Sequence, residues 1–114
     1  MRLLWPLALL LTLGACAGGL PGSDPKLYEA LADSDVELAA RTMQSTLERA
    51  PDGATRSWAN EQTGHRGSLT PIRTYVTESG YFCREYREEL VIGADRGSFH
   101  QFACRDEDAR WVWL

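Results

Sequence analysis

The sequence predicts an α+β domain: an N-terminal helix packed on a four- to five-stranded antiparallel β-meander, closed by one disulfide. Three observations carry that expectation. An apolar period of helical spacing runs through Val36, Ala39, Ala40, Met43, Leu47 and Ala50, and Pro51-Asp52-Gly53 stops it. Beyond Gly53 the pattern shifts to short runs rich in aromatic and β-branched residues, separated by polar turns. Cys83 and Cys104 flank one of those turns at a spacing that a strand hairpin brings together.

Taken in order, Pro25 suits a first helical position behind an Asp24 cap, and Leu27 and Leu31 follow at roughly helical spacing. A second start lies at Ser34-Asp35-Val36-Glu37, a capping-box pattern with Ser34 as cap and Glu37 reaching back. The main helix is expected from about Asp35 to Arg49, within a helical segment 35–50, with a shorter turn or helix before it. The sheet is expected over residues 55–114. Its strands are Thr55 to Asn60, then Ser68 to Thr70 and Arg73 to Glu78 with Pro71 at an edge or bulge. The longest strand runs from Tyr81 to Ile92, Gly93–Gly97 forms a hairpin loop, and Ser98 to Arg105 returns. Asp106–Ala109 turns into a last strand at Arg110–Leu114.

The hairpin contains its own check. With Ile92 opposite Asp95, Cys83 falls opposite Cys104, at a separation a disulfide can span. In that register Phe82, Tyr86, Leu90 and Ile92 share a face with Phe99 and Ala103, the expected core face. A redox pair or a metal site has less support, because there is no Cys-x-x-Cys and neither His65 nor His100 has ligand-like spacing.

The N-terminus carries Arg2, a short apolar run and then Leu13-Gly14-Ala15-Cys16. An apolar residue, two small ones and a cysteine resemble bacterial lipoprotein signals. That resemblance implies removal of residues 1–15, diacylation of Cys16, and, with Ala17 rather than Asp next, export to the cell outer membrane. Residues 16–24 then form the lipidated cysteine and a flexible tether, and 25–114 form the domain. The mature chain has 99 of the 114 residues, with 11 basic against 16 acidic side chains, a net charge of −5. An acidic domain without a basic cluster is a poor fit for nucleic acid or for electrostatic docking on anionic lipid. Its membrane link is expected to be the acyl chains on Cys16.

Few residues suggest chemistry. Glu85, Glu88 and Glu89 read as a solvated acidic edge, and Arg84 and Glu85 as surface ion-pairing strand residues. His65 reads as an exposed loop residue and His100 as a strand residue opposite Arg87. Thr63–Gly67 lacks the strand-to-helix context of a phosphate loop and reads as a plain turn. No catalytic set, metal site or cofactor is expected. Trp58 and Trp113 are the candidate interaction surface, although a core role is favoured for Trp58 and Trp111.

Trp58-x-Asn60-x-x-Thr63-Gly64-x-x-Gly67, Thr70-Pro71, Cys83-Arg84-Glu85-Tyr86, Cys104-Arg105 and Trp111 together resemble the C-terminal domain of the bacterial 17-kilodalton surface antigen family. The resemblance covers residues of about 35–114 and implies no catalytic residues. Two departures stand out. Asp108-Ala109 replaces the usual Asp-Gly before the last strand, which suggests a different turn. Nothing here resembles the glycine zipper of the rickettsial members. The expected function is a non-enzymatic, outer-membrane-anchored lipoprotein with a structural or interaction role in the envelope. The alternative is a periplasmic binding module, either an inhibitor of a cell-wall hydrolase or a peptidoglycan or carbohydrate binder, with an envelope protein or peptidoglycan as partner.

Overall fold

A computed structural model describes residues 24–114. The expected signal peptide, Cys16 and all of the tether before Asp24 lie outside the described residues. Two helices, α1 (Lys26–Glu29) and α2 (Asp33–Arg49), precede five strands: β1 (Arg56–Ala59), β2 (Arg66–Val76), β3 (Phe82–Ile92), β4 (Asp95–Arg105) and β5 (Trp111–Trp113). The strands form one sheet in chain order, every neighbour antiparallel. The fold is mostly β, with a single disulfide between Cys83 and Cys104.

The hairpin register is the expected one: Ile92 pairs with Asp95 and Cys83 with Cys104. The bridge closes a loop with a sequence separation of 21, which the chain-entropy model values at roughly 3 kcal/mol. The turn is shorter than expected, however. Pairing continues to Asp95, because Gly93, at φ 61, closes a two-residue turn with Ala94; Gly97 then sits opposite Leu90, and its bare backbone leaves room for Leu27 of α1. A Cβ on Gly97 would come within 2.3 Å of the Leu27 Cδ1.

The two strands expected around Pro71 are one continuous β2, with a register shift between Pro71 and Arg73. Pro71 has no N–H to offer the ladder, and its carbonyl instead accepts Gly53 N–H at 2.7 Å, tying the end of the helical segment to the sheet.

The buried cluster contains Leu27, Met43 and Leu47 together with Trp58, Leu69, Tyr86, Leu90, Phe99, Ala103 and Trp111. Ile92 belongs to it as well, Ala39 packs against it and Ala50 is buried beside it, but three expected members, Phe82, Val36 and Ala40, are exposed. Phe82 is 55% exposed, and Arg84, next on that face, takes the last turn of α2 in its place. Val36 is 50% exposed, while its neighbour Asp35 is fully buried. The buried stripe of α2 is therefore turned toward Asp35 at its N-terminal end, because Asp35 finds hydrogen-bond partners in the β1–β2 turn. Ala109 has φ 62, so the last turn keeps a glycine-like, left-handed conformation despite its alanine. The expectation of a different turn is corrected there.

Candidate functional site

Three constructions surround α2, and each uses polar groups that local sequence patterns misassign. The first lies at its N-terminus. Asp35, not Ser34, reaches back to the start of the helix, its Oδ2 accepting Ala32 N–H at 2.8 Å. Ser34 Oγ instead accepts Asn60 Nδ2 at 2.8 Å. The Asp35 Oδ1 also accepts Asn60 Nδ2 (2.8 Å) and Thr63 Oγ (2.7 Å), and Oδ2 lies 2.7 Å from His65 Nδ1. Burial opposes ionisation of Asp35, but the hydrogen bonds from His65, Thr63, Ala32 and Asn60 outweigh it and hold its pKa at about 2. The expected exposed position of His65 is thus corrected, since this carboxylate draws the ring inward.

The same contacts explain the Trp58–Gly67 motif as folding machinery. Trp58 pairs with Gly67 across β1 and β2, and a Cβ on Gly67 would lie 2.5 Å from the indole Nε1. Asn60 and Thr63 serve Asp35, and Gly64 turns the chain with φ 75. Trp58 is 5% exposed, so it offers no open face for recognition, and its place in the candidate interaction surface is corrected.

The second construction closes the C-terminal end of α2. Arg84 is buried, and its Nη1 donates to Leu47 O at 2.8 Å while Nη2 donates to Asp52 Oδ1 at 2.8 Å. It is a helix-end ligand rather than a surface ion-pairing residue. Nearby, Trp111 donates its indole N–H to Glu48 Oε2 at 2.9 Å.

The third construction is an open apolar cleft of about 540 Å³ between the helices and β5. Tyr28 and Leu31 come from α1 and its exit, Val36, Ala39 and Met43 from α2, and Trp113 from β5. Behind it, Tyr28 donates its hydroxyl to Glu88, and Gln101 Nε2 donates to the same hydroxyl at 3.0 Å. Trp113 Nε1 donates to the Tyr86 hydroxyl at 2.5 Å, and the Trp113 ring meets Tyr28 edge-on at 6.2 Å. Glu88 is buried with Tyr28 as its one side-chain donor, so burial pushes its pKa up, partly offset by that bond. Desolvation, with Glu88 adding to it, also raises the Tyr28 hydroxyl. Glu88 therefore leaves the expected solvated edge, because strand alternation puts it on the core face opposite Phe99.

Of the expected site residues, Cys83 and Cys104 meet, Trp113 lies exposed beside the cleft, and Trp58 lies in the core. Glu85 pairs with Arg73 and Glu89 with Arg87, while His100 is exposed opposite Arg87. Among the described residues no hydroxyl or thiol bonds His65 Nε2, and no group of three His, Cys, Asp or Glu side chains is placed to hold a metal. Among them, too, no helix is long and apolar enough to cross a membrane. Sequence reasoning missed Asp35, Tyr28 and Glu88; only Glu88 had a local signal, its strand parity.

The geometry can now be set beside known proteins. The family described as 17 kDa outer membrane surface antigen matches residues 45–112, from the last turns of α2 through β5. The chain belongs to this family. The 17 kDa surface antigen of Rickettsia bellii (strain RML369-C) is 34% identical over 102 residues, 90% of this chain and 64% of the relative. That of Rickettsia conorii (strain ATCC VR-613 / Malish 7) is 39% identical over 79 residues, 69% of this chain and 50% of the relative. The chain thus spans about half to two thirds of the length of these surface antigens. No solved structure matches. The family match over residues 45–112 takes in the Trp58–Gly67 motif and the disulfide strands, with Asp35 and the helical wall of the cleft before it, whereas the Rickettsia bellii relative aligns over these as well.

Proposed function

We propose that this surface-antigen-family chain is a non-enzymatic lipoprotein, held at the outer membrane by acyl chains on Cys16. Its body, which we read as α2 docked on the sheet, serves a structural or interaction role in the cell envelope. The observation that carries this reading is Leu13-Gly14-Ala15-Cys16, placed eight residues before Asp24, where the described domain begins. Membership of an outer membrane surface antigen family agrees with it. A non-enzymatic role is supported by the use of the buried titratable groups. Asp35 is spent on joining α2 to the β1–β2 turn, and Arg84 and Glu88 on joining strand to helix, rather than aimed at an open site.

Metabolic labelling with a palmitate analogue tests the anchor. Label on the wild type and none on Cys16→Ala is the expected result. An unlabelled wild type, or equal label on both, would overturn it.

A further inference from the structure

We propose that the β5 edge and the cleft beside it form a shallow second contact with the bilayer that carries Cys16. The proposal rests on the reading that Cys16 is acylated. Apolar surface wraps this edge from both sides. Val36 and Trp113 line the cleft on the helical side, and Val112 and Phe102 are exposed on the opposite face of the sheet. Trp113 is 53% exposed, and because its indole N–H is already given to Tyr86, the part of the ring that remains outside is apolar.

The backbone of β5 fits a hydrated interface. Gln44 covers the outer edge at Trp111, its Oε1 accepting Trp111 N–H at 2.8 Å and its Nε2 donating to Trp111 O at 2.6 Å. By ladder alternation the N–H and C=O of Trp113, two residues on, also point away from β4. Nothing like Gln44 covers that position among the described residues. Such an edge is not tolerated in hydrocarbon, but the headgroup region supplies water and ester groups to it, and Trp concentrates at that depth.

The tether decides the occupant. Cys16 lies eight residues from Asp24, so a fully extended tether reaches at most about 28 Å, and a coil about 16 Å. Tyr28 and Leu31, four and seven residues beyond Asp24, are walls of the cleft. The acyl chains therefore keep this side of the domain within reach of the bilayer. With a mature net charge of −5, the contact is apolar rather than ionic and should survive high salt.

The test uses the full lipidated chain, reconstituted in phosphatidylcholine vesicles with plain or brominated acyl chains. Flotation with the vesicles reports the anchor, and tryptophan emission reports the docking. In brominated vesicles the emission of Trp113, taken as wild type minus Trp113→Phe, should fall by about twofold or more, in 0.1 M and 1 M salt alike. Val36→Asp combined with Val112→Asp should still float but lose that quenching. Flotation without Trp113 quenching would overturn the docking and leave the anchor standing. A wild type that fails to float would overturn both. A photocrosslinker at position 112 in cells should give lipid adducts; a discrete protein adduct, or a dimer of this chain, would also overturn the proposal.

Discussion

On the β1 side of α2, Asp35 is shut away from water with four hydrogen-bonding partners and a pKa of about 2. On the β5 side, Glu88 is also buried but among the described residues has Tyr28 alone as side-chain donor, and burial raises its pKa. The first flank is closed, with a carboxylate saturated by groups from the β1–β2 turn. The second is left open, its apolar cleft lined by half-exposed Val36 and Trp113. One small domain thus uses one side of its helix to hold itself together and keeps the other side free for contact. A buried charge stabilises only where its lone pairs are filled, and that condition is met on the closed flank.

Glycine-to-alanine substitutions offer the strongest way to break this contrast. Gly67→Ala drives a Cβ into the rigid Trp58 ring on the closed flank, at a cost of about 1–3 kcal/mol by overpacking. Gly97→Ala meets first the end of the flexible Leu27 side chain, at 2.3 Å, and only then the edge of the Phe99 ring, at 2.9 Å, so it should cost less, about 1 kcal/mol. Urea denaturation of both variants checks the order. Equal losses would mean the open flank is as tightly packed as the closed one.

The pH dependence of stability sharpens the comparison further. Asp35 has a folded pKa below its unfolded value of about 3.9, so its contribution is complete above that value and is lost as pH falls toward about 2. Glu88 has a folded pKa above its unfolded value of about 4.3. Its contribution is complete below that value and is lost as pH rises through the folded pKa. Glu88→Gln should therefore remove a loss of stability on the neutral side that the wild type shows, while the acid limb set by Asp35 stays. Thermal melts across the pH range would reveal both limbs, and an unchanged neutral side in the variant would count against the buried assignment of Glu88.

A smaller effect, of opposite sign, is expected at Ala109. Relieving its φ of 62 by Ala109→Gly should stabilise the domain by about 1 kcal/mol, read as a small rise in melting temperature. Since this turn feeds β5 without touching either carboxylate, the substitution should leave the pH profile unchanged.

What could be read in advance follows from which signals are local. The β3–β4 register and the Cys83–Cys104 pair were legible because strand alternation has period two and a hairpin fixes it over many residues. Local pattern splits β2 into two strands, because Pro71 marks a break in the ladder but not whether pairing resumes. The capping box at Ser34 and Glu37 obeyed a local rule, yet Asp35 won the position because Asn60, Thr63 and His65 meet it from 25–30 residues away. No window around residue 35 contains that information. Residue type assigns Arg84 and Glu88 to the surface, whereas strand parity alone puts both on the core face. Trp113 stood out through composition, but its cleft depends on α1, α2 and β5 meeting in space.

Asp35 and Val36 are adjacent on α2, and hydropathy alone would rank the valine as the more important to folding. Urea denaturation of Asp35→Ala and Val36→Ala tests the division of the helix most directly. Asp35→Ala should lose roughly 3 kcal/mol, since Asn60 and Thr63 are left without their buried acceptor. Val36→Ala should stay within about 0.5 kcal/mol of wild type. A large loss at Val36 with little at Asp35 would contradict a closed, load-carrying flank at β1 and a spare apolar face at β5.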